Sequence, residues 1–222
     1  MGHDSKPAEI KGLNLSGITI FAAEISTFGR IIAMVAIEKG VDWTLVPTDS
    51  ASAEHIGRHP FGKTPAVEVH GHLLIESDAI CRYLDDVFDG VSLVPDGPLE
   101  RAEMTKWMSF VQAYMFPTTE FGLVMPRLIA PLMGRPVDET RVQKSLPTIQ
   151  YQLGLLETAL EGRTFIASDR LTLADIYLYC TWMAVAHTEE GKVMLHHSPN
   201  VTRWMSFLGS RESARKTAWP EG

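Results

Sequence analysis

The chain is poor in cysteine, with two in 222 residues, and lacks any run approaching the length of a membrane span. A transmembrane helix needs about 18 or more consecutive apolar residues, so a spanning segment is not expected. Cys81 and Cys180 lie far apart with no C-x-x-C between or around them. Dithiol redox motifs and zinc ribbons therefore have no support, and both residues read as buried free thiols in a reducing cytosol. Basic residues are in deficit, 20 Lys and Arg against 27 Asp and Glu, for a net charge of −7. Nucleic-acid binders usually present a basic face, and that class is disfavoured. The first 16 residues lack the apolar core of a secretory signal and read as a flexible polar tail.

What remains is enough apolar material, 45% of the chain, for a sizeable core, and a length that suits two small domains. Residues 17–23 read as a strand, 26–39 as a buried helix ended by Gly40, and 43–48 as a second strand. That β-α-β order implies two parallel strands with a right-handed crossover. A loop with one helical turn follows over 49–58, then a hairpin over 66–75 and a helix over 77–88. The Pro- and Gly-rich stretch 90–98 reads as a linker. Beyond it strand signals vanish. Helices are expected over 99–115, in a proline-interrupted stretch to 133, over 138–160 with a kink or restart at Pro147, from Leu173, and over 201–214. The fold class is thus a small α/β domain (17–89) joined by the linker to an all-helical domain (99–222).

Gly57-Arg58-His59-Pro60-Phe61-Gly62-Lys63-Thr64 satisfies the P-loop pattern G-x-x-x-x-G-K-[ST]. That motif works only where a helix begins at the Lys-Thr, so that free N–H groups cradle phosphate. Pro65 follows at once and biases Thr64 towards extended backbone, and a hairpin comes next, so a nucleotide site is rejected. Leu171-Thr172-Leu173-Ala174-Asp175-Ile176 reads as a capping box with a hydrophobic staple, which gives Asp175 a structural rather than a catalytic role. His55 and His59 stand four apart with His70 and His72 nearby, but the zinc-protease motif is absent and no metal is expected. Asp85-Asp86 and Glu189-Glu190 read as solvated surface.

The segment from Ser26-Thr27-Phe28-Gly29-Arg30 to Ile37-Glu38-Lys39-Gly40 resembles, without a gap, the S-P-F-S-R-K-V-R-L-A-L-E-E-K-G stretch of cytosolic glutathione transferases. His59-Pro60-Phe61-Gly62-Lys63-Thr64-Pro65-Ala66-Val67 is similar to that family's N-P-x-G-x-V-P-A-L. Ile75-Glu76-Ser77-Asp78-Ala79-Ile80-Cys81-Arg82-Tyr83-Leu84 is similar to its L-x-E-S-x-A-I-x-x-Y-L. The likeness is specific over residues 17–88, diffuse beyond, and closest to the Ser-type phi, theta and delta-like classes. Thr27 stands where the pattern usually has Pro, and Thr64 where Val is common. The loop 49–55 is shorter than in the plant-like class, whose basic residues there help hold the glycine end.

The resemblance implies a thioredoxin-like N-terminal domain, an all-helical C-terminal bundle and a cytoplasmic homodimer that uses glutathione as co-substrate, in a detoxifying role. Pro65 would be the family's cis-proline, with the Thr64 backbone pairing with the cysteinyl unit. The helix N-terminus at Glu76 and Ser77 would take the γ-glutamyl group, and Lys63 would approach the glycyl carboxylate. Ser26 would donate its hydroxyl to the thiolate, with Thr27 as the fallback. A hydrophobic electrophile would sit between Phe28 and the 99–115 helix, with Tyr114 and Phe116 as candidate lining. The expected reaction is nucleophilic addition or substitution by the thiolate. Alternatives are a glutathione-dependent isomerase or dehalogenase, and a non-catalytic binding subunit.

Overall fold

The computed structural model describes residues 17–218, so the expected N-terminal tail lies outside the described residues. The chain opens with β1 (Gly17–Ala22), α1 (Thr27–Glu38) and β2 (Asp42–Pro47). A short helix α2 (Ala53–Arg58), capped by the Ser52 hydroxyl, fills the loop where one turn was expected. The hairpin β3 (Ala66–Val69) and β4 (His72–Ile75) and helix α3 (Ser77–Val87) complete the unit. The four strands order as β2-β1-β3-β4, with β1 parallel to β2 and β3 antiparallel to both β1 and β4. This is the thioredoxin-like arrangement. His70 and Gly71 at the hairpin tip have φ of 52° and 75°, the paired positive values of a turn that matches the strand twist.

Helix α1 is apolar nearly all round. Ile31, Ile32, Met34 and Val35 are buried, because one side meets the sheet and the other the helical half. It packs against α3, and against α8 (Leu173–Ala186), whose residues Leu173 to Val185 are all buried. At its C-terminal end Glu38 accepts two bonds from the Arg211 guanidinium, at 2.8 and 2.7 Å, and one from the Ser213 hydroxyl. Burial alone would raise the Glu38 carboxyl, but these donors hold it below the usual range.

The helical half begins with α4 (Pro98–Phe110), which does not end where prolines predict. It widens into a π-helical turn (Val111–Met115), passes through α5 (Phe116–Thr119), widens again (Glu120–Ile129) and closes with α6 (Ala130–Leu132). Side chains satisfy carbonyls within this stretch. Thr118 Oγ1 and Gln152 Nε2 both donate to the Tyr114 carbonyl, at 2.8 and 3.2 Å, and Thr119 Oγ1 donates to that of Met115 at 2.9 Å. The expected interruption is thus absorbed as altered pitch.

Helix α7 (Glu139–Ala159) runs unbroken through Pro147, so the expected restart does not occur. The carbonyl that Pro147 leaves unpaired belongs to Gln143, which is exposed and open to water. The helix expected over 201–214 is two, α10 (Pro199–Gly209) and α11 (Glu212–Lys216), and α9 (Glu189–His196) was not foreseen.

In each of the two acidic pairs one member, Asp86 or Glu189, is exposed as expected, and the other is not. Asp85 is not solvated: it pairs with Lys39 and accepts from the backbone N–H groups of Leu93 and Val94 at 2.9 and 3.0 Å. Those bonds pin the segment 92–94, which Arg170 also holds through the carbonyls of Ser92 and Val94. Glu190 pairs with Arg127, which also grips Glu139, tying three helical segments together. Asp175 has the expected structural role. Fully buried, it accepts from the N–H and hydroxyl of Thr172, the N–H of Ile166 and the indole of Trp204.

Candidate functional site

Strand register assembles the site. Phe21 pairs with Ala66, and Ala66 with Ile75, so these three residues lie in one row across the sheet. The chain leaves β1 just after Phe21, enters β3 at Ala66 and leaves β4 at Ile75. The segments carrying Ser26, Lys63-Thr64-Pro65 and Glu76-Ser77 therefore emerge at one end of the sheet, although they span some fifty positions of sequence.

Ser26 is the N-cap of α1, and its Oγ accepts from the Gly29 N–H at 3.1 Å. A serine hydroxyl can accept twice and donate once, so the cap fixes the oxygen and leaves its proton for another partner. A helix-capping role and the expected donor role are therefore compatible at this position. Ser26 is partly exposed, whereas the fallback Thr27 is buried at 4% exposure.

The Thr64–Pro65 bond is cis, as expected, and Pro65 is buried. The Lys63 side chain is exposed. Its carbonyl turns inward and is held by His55 Nε2 at 2.7 Å. His55 is completely buried on α2 and escaped the sequence reading, which considered it only as a metal ligand. His59 is buried too, its Nδ1 accepting from the Phe61 N–H at 3.3 Å. The signal that could have revealed these roles is the 55–59 spacing on a helix beside the loop.

Glu76 has φ of 68° and ψ of 112°, and makes no side-chain cap bond. A non-glycine residue held there costs roughly 1–3 kcal/mol, and such strain concentrates at binding sites. Ser77 begins α3, so both residues stand at a helix N-terminus, with free N–H groups and the positive end of the helix dipole. Asp78 in the first turn is engaged by Arg82 at 2.7 Å.

Between the two halves, Phe28 meets Phe116 with ring centroids 4.6 Å apart, and Tyr177 lies edge-on at 6.2 Å. Of the two candidates on the long helix, the structure brings only Phe116 to Phe28. Tyr114 is 62% exposed and stacks edge-to-face on Phe110. One helical turn beyond Phe116 and on its face stands Glu120, also missed in the sequence. Among the described residues its carboxyl has no hydrogen-bond or ion-pair partner, and burial pushes it up to about 7. The two thiols are out of reach of this chemistry: burial raises both, Cys180 to about 12.

The chain is similar to known proteins along most of its length. Residues 19–86 match the glutathione S-transferase N-terminal domain and residues 118–212 the glutathione S-transferase C-terminal domain. The chain is 31% identical over 201 residues to glutathione S-transferase F14 of Arabidopsis thaliana, covering 86% of this chain and 79% of that one. It is 29% identical over 206 residues to glutathione S-transferase 4 of Zea mays, covering 90% and 92%. Among solved structures, glutathione S-transferase I from maize in complex with an atrazine glutathione conjugate superposes with a TM-score of 0.81 at 26% identity, covering 91% and 96%. The chain belongs to the glutathione S-transferase family.

Proposed function

We propose that the protein is a glutathione transferase that binds glutathione across the end of the sheet and stabilises its thiol as the thiolate. The observation that carries this reading is the single row Phe21–Ala66–Ile75, which gathers Ser26, the Thr64–cis-Pro65 edge and the Glu76-Ser77 helix start. In this reading Thr64 pairs through its backbone with the cysteinyl unit beside Pro65. The α3 N-terminus takes the γ-glutamyl carboxylate, Glu76 accepts from the γ-glutamyl ammonium, and Lys63 reaches the glycyl carboxylate. Ser26 donates to the sulfur. A hydroxyl bond to a thiolate is worth roughly 1.5–3 kcal/mol, or one to two pKa units, and the α1 N-terminus acts in the same sense. The thiolate then attacks an electrophilic carbon of a small apolar substrate lodged against Phe28 and Phe116. The carbon–sulfur bond forms as the leaving group departs or the acceptor takes up a proton.

The same reading places the glutathione-binding unit at 17–89, the linker at 90–98 and the helical unit at 99–222. It makes the protein a cytoplasmic homodimer. Apolar side chains left open on both halves, Phe61 at 76%, Tyr151 at 68% and Leu132 at 80% exposure, support association. Two free buried cysteines suit a reducing compartment.

A calorimetric titration with glutathione, followed by an electrophile screen, tests the proposal. Binding and accumulation of a thioether conjugate are expected. Binding with glutathione regenerated, or halide released, would redirect it to isomerisation or dehalogenation. Absence of binding would overturn it.

A further inference from the structure

We infer that His55 is a positioning residue for glutathione, aiming the Thr64 N–H at the ligand by holding the Lys63 carbonyl. The inference rests on the glutathione-binding reading above and adds a residue to it. The Lys63 carbonyl can only accept, so the His55 Nε2 at 2.7 Å from it must carry the proton. The Lys63–Thr64 peptide is trans, since the one cis bond among the described residues is Thr64–Pro65. In a trans peptide the C=O and the next N–H point in opposite directions. Drawing the Lys63 oxygen inward to a fully buried histidine therefore turns the Thr64 N–H outward, where it meets no acceptor among the described residues.

A second contact stiffens the same loop. His59, one turn on from His55 and stacked on it with ring centroids 6.3 Å apart, receives the Phe61 N–H. The segment 61–63 is thus held at two points, by a residue of α2 and by its C-cap residue. The other nitrogen of His55, Nδ1, is buried with no partner. Leaving a buried acceptor unsatisfied costs stability, which an apolar side chain of similar size would avoid. A residue chosen for packing alone would not be histidine.

The test compares His55→Gln, His55→Asn and His55→Leu with the wild type in glutathione calorimetry, thermal unfolding, and KM and kcat with an apolar electrophile. Gln can extend its amide N–H to the position of Nε2, whereas Asn is too short. The expected result is a glutathione Kd and KM raised about tenfold in the Leu and Asn variants and returned to within about threefold in the Gln variant. At saturating glutathione, kcat stays within about twofold, the pattern of lost ground-state positioning. A folded His55→Leu with wild-type affinity would overturn the inference, as would equal affinities for Gln and Asn if the Leu variant does not fold. If the wild type itself fails to bind glutathione, the proposed activity falls and the inference with it. Binding by the wild type separates the two.

Discussion

Lys39 and Asp85 form an ion pair closed to solvent, with Nζ 3.1 Å from Oδ1 and side chains only 3% and 5% exposed. The pair joins the end of α1 to the end of α3, and Asp85 goes on to receive the N–H groups of Leu93 and Val94. Removing one member strands a buried charge, which typically costs about 3–5 kcal/mol. Asp85→Ala should therefore lower unfolding stability by that order in a urea titration. Asp85→Asn, which keeps an acceptor, should cost less. A loss below about 1 kcal/mol for the alanine variant would mean that the segment 92–94 is not anchored there.

Asp175 ties the start of α8 to Ile166 and to the Trp204 indole. Asp175→Ala leaves four donors unpaired in a dry environment, each worth roughly 1–3 kcal/mol. The predicted outcome is failure to accumulate as a folded protein, or a melting temperature reduced by many degrees. Asp175→Asn should fold but melt early.

Glu120 gives stability a pH dependence with a definite sign. Burial raises its carboxyl to about 7 from an ordinary 4.5. The folded state therefore holds the proton more tightly than the unfolded state, so the contribution is complete below about pH 4.5 and declines as pH rises towards 7. The full span is on the order of 3 kcal/mol. Glu120→Gln should flatten stability across that window in denaturant titrations at a series of pH values. An unchanged slope in the variant would show that Glu120 is solvated.

Phe116 joins the two halves at Phe28. Phe116→Ala removes an apolar wall worth roughly 1.5–3 kcal/mol. The KM for an apolar electrophile should rise on the order of tenfold while the glutathione KM stays put. Steady-state kinetics with each substrate varied in turn distinguish this from a general loss of folding.

Residues 17–88 were readable because each local signal agreed with the next. Gly40 ended α1 with a φ of 68°, and Pro65 fixed a bend between a loop and a strand. The helical half was less legible. Prolines at 117 and 126 signal breaks, yet the helix widens through both, and near Pro117 Thr118, Thr119 and Gln152 take up the carbonyls of Tyr114 and Met115. Asp85 and Glu190 carry no local mark of burial, because their partners Lys39 and Arg127 are distant in sequence. His55 was weighed only as a metal ligand and left without a role, since its acceptor is a backbone carbonyl that composition cannot display.

In the proposed function Ser26, fixed by its cap to Gly29, stabilises the glutathione thiolate. The direct measurement is a spectroscopic titration of the thiol of bound glutathione, in the wild type and in Ser26→Ala, with conjugation rates at pH 7. A free thiol has a pKa near 8.5. The expected bound value is about one to two units lower in the wild type, a shift lost in the variant, with conjugation slowed roughly ten- to a hundredfold and the fold intact. An unshifted thiol in the wild type, or unchanged turnover in Ser26→Ala, would contradict it.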